Sequence, residues 1–405
     1  MLFERKILKD VKKFLDRSES LILTGPRQAG KTSILIILKK YLEEKNKNCH
    51  YFNLEDPKIL KLLNKHPFNI FELVPEKKKQ YIFLDEIQYL DDPSNFLKLL
   101  FDEKRDFLKI IVSGSSNFYI DKKFKDSLAG RKVIFNVFLL DFFEFLDFNQ
   151  ELELKEKLEK KNKSKLILKE KENLENLWND YILFGGYPEL ALTRDVEIKK
   201  VLLSEIGSSY VKKDISDANI RSKEKYFTLL KILAGQIGEL LNSQKLANIL
   251  NVSHKTIDEY LYVMQKSYHI ALVKPFYRNI RKELTKMPKV YFFDSGLRNY
   301  LLNDFDKFEG RSDQGQFLEN LFFIKFLNSI KNPLDNIKFW RTQDQNEVDF
   351  VIEEKNAFEI KVAKKAFNKS KYQKFIDTYP NIKLKVADYD DLKFLDSKKC
   401  RKTKD

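Results

Sequence analysis

The residues best suited to chemistry lie near the N-terminus, where a glycine-rich loop follows a short apolar segment. The loop reads GPRQAGKTS and matches the phosphate-binding pattern G-x-x-x-x-G-K-[ST]. In such a loop the glycines let backbone N–H groups turn toward phosphates, and the following helix N-terminus adds partial positive charge. We therefore predict that ATP binds to Gly25, Pro26, Arg27, Gln28, Ala29, Gly30, Lys31, Thr32 and Ser33. Lys31 would reach the β- and γ-phosphates, and the Thr32 hydroxyl group would bind Mg²⁺.

Two acids follow a second apolar segment. Residues 81–84 read YIFL, and Asp85 and Glu86 come directly after them. Ligands of open α/β sheets bind at the carboxyl ends of the strands, which is where these acids would emerge. We predict that Asp85 holds Mg²⁺ through water and that Glu86 polarises the attacking water.

Three further residues are candidates for action on the γ-phosphate. Residues 109–117 read KIIVSGSSN, a buried strand that ends in small polar residues. Ser115 is the first candidate for a γ-phosphate sensor and Asn117 the second, with a plain turn as the alternative. Arg131 is the candidate arginine finger, acting in cis or from a neighbouring subunit. A surface arginine is the alternative interpretation.

The elements that must position these residues alternate between strands and helices. Strands are predicted at residues 20–24, 50–54, 80–85, 109–113 and 132–137, with a helix over 31–41. This alternation predicts a parallel sheet covered by helices. A Lys- and Glu-rich segment at 151–176 reads as a solvated helix or flexible insertion. We divide the chain into an ATPase domain (1–150), a helical linker (151–230), a winged helix-turn-helix domain (231–300) and a C-terminal domain (301–405).

A candidate DNA-binding segment lies in the third of these regions. Residues 243–261 read as two short helices, and Ser253 is a good N-cap for the second helix. Its first residues, His254, Lys255 and Thr256, would meet base edges or phosphates. The basic hairpin Lys274–Lys289, with Arg278, Arg281, Lys282 and Lys286, would be the wing. A winged helix used only for packing is the alternative, because Asp258 and Glu259 follow on the same helix.

A candidate nuclease site lies near the C-terminus. Asp349, Glu359 and Lys361 are spaced as D-(x9)-E-x-K on two predicted strands. Glu359 and Lys361 share a strand face because side chains alternate along a strand. Two carboxylates and a lysine on one face suit a divalent metal and a steered water, and Glu319 would be a fourth member. The alternative is a solvated sheet face.

These motifs together resemble the prokaryotic AAA-type ATPases (AAA_14 type) that carry a C-terminal DUF4143 region. The resemblance rests on stretches that span about residues 20–365: LILTGPRQAGKTS, YIFLDEIQYL, IIVSGSSN, SLAGR, FGGYPE, VYFFDSGLRNYL, FWRTQDQNEVDFVI and EIKVAKK. It implies an α/β multidomain protein. The implied parts are a P-loop NTPase core with a parallel sheet, a winged-helix region and a C-terminal PD-(D/E)xK-like α/β domain.

Composition narrows the class of protein. No apolar run approaches the roughly 20 residues that cross a bilayer, and the N-terminus has no signal-peptide pattern. The only cysteines, Cys49 and Cys400, form no metal or disulfide framework. We expect a cytoplasmic protein without a membrane partner. The formal net charge of +15 is consistent with a nucleic-acid partner or simply with lysine-rich composition.

The function predicted from these features is a Mg²⁺-dependent ATPase whose nucleotide cycle switches a DNA-binding winged helix and a nuclease-like domain. ATP and Mg²⁺ are the expected cofactors, and DNA is the expected partner. An ATP-regulated DNA endonuclease is one alternative. A STAND-like signalling switch that binds a protein partner is the other. The sequence leaves a homo-oligomer open.

Overall fold

A computed structural model describes residues 3–75, 78–114, 128–160, 166–277, 286–330 and 332–394. The chain divides into two units. The first comprises the chain up to Leu139 together with Lys266–Tyr268, and the second comprises the remainder. Within the described residues no helix is both long and apolar enough to span a bilayer.

A five-stranded parallel sheet forms the centre of the first unit, which confirms the predicted parallel sheet. The strand order is β2-β3-β4-β1-β5. Every residue of β1, β3 and β4 is buried, which is typical of central parallel strands covered on both faces. The strands are β1 (Ser20–Thr24), β2 (Asn48–Asn53), β3 (Gln80–Asp85), β4 (Leu108–Gly114) and β5 (Lys132–Asn136).

Helices of the first unit cover this sheet. They are α1 (Leu8–Lys12), α2 (Lys31–Glu43), α3 (Pro57–Lys65) and α4 (Pro93–Lys104). Asp56 and Asp92 cap α3 and α4 through their side chains, and a proline occupies the first turn of each helix. Ile22, Ile82 and Val112 from the three central strands share one apolar core with Phe96 and Leu97 of α4. The sheet therefore holds the carboxyl ends of β1, β3 and β4 in fixed positions.

The second unit begins with helices and a small antiparallel pair of strands. The helices are α5 (Phe142–Phe148), α6 (Leu152–Glu159), α7 (Leu168–Phe184), α8 (Pro188–Leu192), α9 (Val196–Glu205), α10 (Val211–Asp217), α11 (Lys223–Gly235), α12 (Ser243–Leu250), α13 (His254–Lys266) and α14 (Ser295–Leu302). The strands are β6 (Ile270–Val273) and β7 (Lys289–Phe292). The charge-rich segment 151–176, predicted as a solvated helix or flexible insertion, thus contains α6 and the first half of α7.

The last part of the second unit is a four-stranded sheet packed with helices. The strand order is β11-β10-β9-β8, and β10–β11 is the parallel pair. The elements are α15 (Gln314–Leu327), α16 (Pro333–Asn336), β8 (Ile337–Arg341), β9 (Glu347–Ile352), β10 (Asn356–Ile360), α17 (Gln373–Thr378), β11 (Lys383–Ala387) and α18 (Tyr389–Phe394). Phe326 of α15 packs on Phe350 and Phe358 of adjacent strands. This packing fixes α15 on one face of the sheet.

A buried carboxylate joins two glycine-containing segments of the second unit. Asp294 caps α14 by accepting a bond from the N–H of Leu297, and it also accepts one from the N–H of Gly186. A side chain on Gly296 would overlap the backbone carbonyl of Phe184. Asn299 donates to the carbonyls at the end of α7. The FGGYPE and DSGLRN stretches therefore hold two helices together.

Candidate nucleotide-binding site

The predicted phosphate loop lies between the end of β1 and the start of α2. Gly30 adopts a left-handed conformation (φ 88°) immediately before the helix, a conformation that glycine adopts at little cost. The Lys31 ammonium group is buried and donates to the carbonyls of Gly25 and Pro26 at 2.9 and 2.7 Å. The lysine thus folds back over its own loop. Three further residues of the predicted loop, Arg27, Gln28 and Ala29, lie between Pro26 and Gly30.

Asp85 lies at the centre of a set of hydroxyl groups at the carboxyl ends of the strands. The Thr32 hydroxyl group donates to Asp85 Oδ2 at 2.6 Å, and the Tyr51 hydroxyl group donates to the same oxygen at 2.8 Å. The Ser113 hydroxyl group donates to Oδ1. Burial and the bond to Asp85 raise the pKa of Tyr51, so its hydroxyl group stays protonated as a donor. The strand order brings these hydroxyl groups to Asp85, because β4, which carries Ser113, lies between β1 and β3.

The donor atoms at this point fit a magnesium ion bound with ATP. Mg²⁺ prefers hard oxygen ligands and typically takes one or two from the protein, with phosphates and water completing its shell. Thr32 Oγ1 and Asp85 Oδ2 are such oxygens and lie beside the phosphate loop. These two residues would therefore hold the ion, as the sequence predicts.

Glu86 follows Asp85 in a left-handed backbone conformation with φ 59°, which is uncommon for a residue with a side chain. Its N–H group faces Ser113 Oγ at 3.3 Å, and its side chain is only partly buried. The Gln88 amide donates to Glu86 Oε2. The carboxylate is thus oriented by Gln88, which is not one of the residues predicted for the site.

Arg5 also supports the phosphate loop. Its guanidinium group is buried and donates to the carbonyl of Ala29 at 2.7 Å and to that of Phe138 at 2.8 Å. The contact with Ala29 fixes the loop from behind. Arg5 lies about 20 residues before the motif, and a single arginine there gives no sequence signal.

The candidates for action on the γ-phosphate fare differently. Ser115 and Asn117 lie outside the described residues.

Arg131 pairs with Asp102 through two hydrogen bonds, at 2.6 and 3.2 Å. Its carbonyl accepts from the N–H of Ser20, the first residue of β1. The phosphate loop follows the other end of that strand, roughly 13 Å away at about 3.3 Å per residue. The prediction that Arg131 acts on the γ-phosphate of the same chain is therefore wrong, because Arg131 lies at the amino end of β1 and the phosphate loop at its carboxyl end. Action on a neighbouring subunit stays a prediction.

Comparison with known families agrees with this geometry. An AAA domain matches residues 17–146, and a domain of unknown function, DUF4143, matches residues 314–398. The chain carries an AAA-type ATPase domain and a C-terminal DUF4143 region. A second domain of unknown function, DUF8612, matches residues 175–307. It covers the second part of the predicted linker, all of the predicted winged-helix domain and the first residues of the predicted C-terminal domain, and these boundaries stay predictions.

Two relatives are similar in sequence to this chain over most of their own length. An uncharacterized protein of Methanocaldococcus jannaschii is 28% identical over 95% of this chain and 85% of its own length. One from Haemophilus influenzae is 24% identical over 87% and 84%. Among solved structures, C. elegans PCH-2 gives a TM-score of 0.34 at 16% identity, covering 64% of this chain and 70% of that chain. AMPPCP-bound DnaA from Aquifex aeolicus gives 0.30 at 15%, covering 64% and 86%. Scores this low carry no functional argument.

The candidate DNA-binding residues of the AAA-type chain lie at the start of α13. Ser253 caps the helix by accepting from the N–H of Thr256 at 3.1 Å. His254 pairs with Asp258 at 3.0 Å, and Lys255 is exposed. The apolar residues between the two helices form a core: Leu246, Ala247, Leu250, Ile257 and Leu261 are buried, and Val252 is partly buried. Arg278 and Arg281 lie outside the described residues, as does Lys282.

The candidate nuclease residues lie close together in the DUF4143 region. Asp349 Oδ2 accepts from the N–H of Ile360 at 2.7 Å, and Lys361 pairs with Glu359. Burial, followed by repulsion from Glu319 and Glu359, raises the pKa of Asp349 well above its ordinary value. The four predicted residues therefore share one site.

That site also contains Lys289, the last residue of the predicted basic wing. Lys289 of β7 is 2% exposed, and its Nζ lies 2.9 Å from Glu319 Oε1 and 2.5 Å from Glu347 Oε1. Nζ also lies 4.0 Å from Asp349 Oδ1. In the described part of the chain, no three His, Cys, Asp or Glu side chains are placed to hold a metal ion together.

Proposed function

We propose that the first unit hydrolyses ATP with Mg²⁺. The observation that carries the proposal is the bond from Thr32 Oγ1 to Asp85 Oδ2, at 2.6 Å, beside a phosphate-binding loop. It brings the two predicted metal ligands together from segments that are distant in sequence. A bound magnesium ion would neutralise charge on the β- and γ-phosphates.

The roles of the side chains follow from their positions. Lys31 exchanges its loop carbonyls for phosphate oxygens, because an ammonium group pairs more strongly with an anion than with neutral carbonyls. Thr32 and Asp85 orient the metal. Glu86, at the carboxyl end of β3, accepts a proton from the attacking water, and Gln88 holds its carboxylate in place.

ATP turnover by three variants of the full chain tests this assignment. Lys31→Ala removes the cation of the loop and should abolish tight nucleotide binding. Glu86→Gln should retain binding and lower turnover by about 10²–10⁴-fold, the usual contribution of a positioned acid or base. Glu103→Gln is the matched control, since Glu103 is an exposed acid of the same unit on α4. Native turnover in Glu86→Gln would show that another group activates the water.

We also propose that α13 contacts DNA. The supporting observation is that Ser253 caps a helix whose second residue, Lys255, is exposed at its positive N-terminal end. Phosphates bind well at such helix ends. Asp258 and Glu259 are exposed on the same helix and limit how much of it approaches DNA.

Duplex binding by fluorescence anisotropy, between about 50 and 200 mM salt, tests this contact. Lys255→Glu should weaken binding and flatten the salt dependence, because one phosphate contact is lost. Lys231→Glu is the control, as Lys231 is exposed on α11. Equal affinity of both variants and the native chain would exclude α13 as the contact. DNA-independent ATP turnover with no DNA binding would favour the STAND-like switch.

A further inference from the structure

The DUF4143 region contains a buried acidic cluster whose members come from three elements. Glu319 lies on α15, Glu347 and Asp349 on β9, and Glu359 on β10. Glu359 is 4% exposed, and one of its oxygens pairs with Lys361. Its other oxygen, Oε2, is buried, and the hydroxyl group of Tyr372 bonds to the same carboxylate. Asp349 and Glu359 are buried and Glu319 and Glu347 are half-buried. Carboxylates this close together repel one another unless a cation lies among them.

Lys289 supplies that cation. Its ammonium group contacts Glu347 and Glu319 and approaches Asp349. Burial opposes its charge, yet attraction from Glu319, Asp349 and Glu347 raises the pKa of Lys289 above its ordinary value. The hydroxyl group of Tyr291, two residues further along the same strand, donates to Glu319. Lys289 and Tyr291 therefore reach the acids from one face of β7.

The Lys289 ammonium group lies among three carboxylates, in the place that a divalent ion would take among the same oxygens. The guanidinium group of Arg341 pairs with the other oxygen of Glu347, at 2.8 Å. A lysine donates three hydrogen bonds from a compact charge, whereas a hard divalent ion accepts oxygen ligands at 2.0–2.6 Å. The two cannot occupy this place together, because both would require the oxygens of Glu319 and Glu347.

We propose that Lys289 is a built-in substitute for a divalent cation: it neutralises the acidic cluster and occupies the place among Glu319, Glu347 and Asp349 that a metal ion would need, so that metal ions are kept out. Metal-dependent cleavage of DNA at this site is therefore blocked while Lys289 lies among the acids. This inference does not depend on ATP hydrolysis in the first unit.

Uptake of Mn²⁺ by the nucleotide-free full chain tests the proposal. All proteins carry Asp85→Asn, which removes the carboxylate of the nucleotide site from the measurement. Lys289→Met removes the ammonium group and keeps most of the side-chain volume. Free Mn²⁺ is followed by electron paramagnetic resonance, and thermal unfolding is followed by tryptophan fluorescence. Both tryptophans, Trp178 and Trp340, belong to the second unit.

Lys289→Met should bind one Mn²⁺ at least about tenfold more tightly than the parent protein. Its unfolding temperature should rise by about 5 °C or more in about 1 mM MnCl₂, because the ion binds only the folded state. Adding Glu319→Gln should remove most of this gain. Equal uptake by the parent protein, or no gain in Lys289→Met, would overturn the proposal.

Two control variants distinguish exclusion of metal by the Lys289 ammonium group from a general effect of losing a lysine. Lys289→Arg keeps the charge and should behave like the parent protein. Lys199→Met removes another buried lysine of the second unit, one that pairs with the carboxylate of Asp180, and should gain no Mn²⁺ affinity. A gain in either control would overturn the proposal. If Lys289→Met folds only with metal, recovery of its folding transition by Mn²⁺ becomes the readout, and failure to recover refutes the proposal.

Discussion

The second unit should lose stability as the pH rises from about 4 to 7, because Asp294 then loses a proton that the folded state binds more tightly than the unfolded state. Burial raises the pKa of this carboxyl from 3.8 to about 6, against the opposing effect of bonds from the N–H groups of Gly186, Leu297 and Gly296. The folded state therefore binds the proton more tightly than the unfolded state. The stabilisation is fully present below about pH 4 and is lost as the pH passes through 6. A shift of about two units corresponds to about 3 kcal/mol at 1.36 kcal/mol per unit.

The assay compares urea unfolding of the native chain with that of Asp294→Asn, at a series of pH values from about 4 to 7.5. Tryptophan fluorescence reports on the second unit alone, because Trp178 and Trp340 both lie there. Asparagine places an amide NH₂ against a backbone N–H, which shifts the variant's stability by a constant amount. The difference between the two proteins should change by about 3 kcal/mol over the window. A difference that is constant with pH would refute the role given to Asp294.

Three further predictions follow from single contacts. Gly296→Ala should lower the free energy of unfolding of the second unit by about 3 kcal/mol through overlap with Phe184, measured by tryptophan fluorescence. Gly235→Ala, where an added Cβ meets no atom within 4 Å, should not destabilise it, and equal losses would refute the close contact. Arg5→Met leaves two backbone carbonyls without their guanidinium donor and should weaken binding of a fluorescent ATP analogue about tenfold; unchanged affinity would contradict its support of the loop. In dilute protein Arg131→Ala should change ATP turnover by less than about threefold, and a tenfold loss there would contradict its placement away from the phosphate loop.

The nucleotide site was largely predictable because its parts are local in sequence. The apolar run before Gly25 and the acids after Leu84 predict the first and last residues of β1 and β3 as the structure has them. Such motifs can be recognised from residues that are adjacent in sequence. Tyr51 and Ser113 were not identified as partners of Asp85. Their contacts depend on the order of strands in the sheet, which no local pattern specifies.

The second unit was harder to predict because its key contacts join distant segments. Lys289 was counted with a basic wing, although it begins the otherwise apolar run KVYFF, which is a signal for a buried cation. Its partners lie 30 and more residues away, on α15 and β9. Charge alone could not distinguish a lysine that faces DNA from one that neutralises internal acids.

The two aspartates at the centre of these sites show how neighbouring groups decide what a carboxylate binds. Asp85 is contacted by three hydroxyl groups, including those of Thr32 and Ser113, which carry no charge. Its negative charge therefore remains available to attract a cation that arrives with phosphate. Asp349 is surrounded by other carboxylates and by the ammonium group of Lys289, so its surroundings already contain their cation. We therefore expect the same residue type in a buried strand to bind a metal in one unit and to exclude it in the other, and exchanging Lys289 for a neutral side chain should reverse the second case.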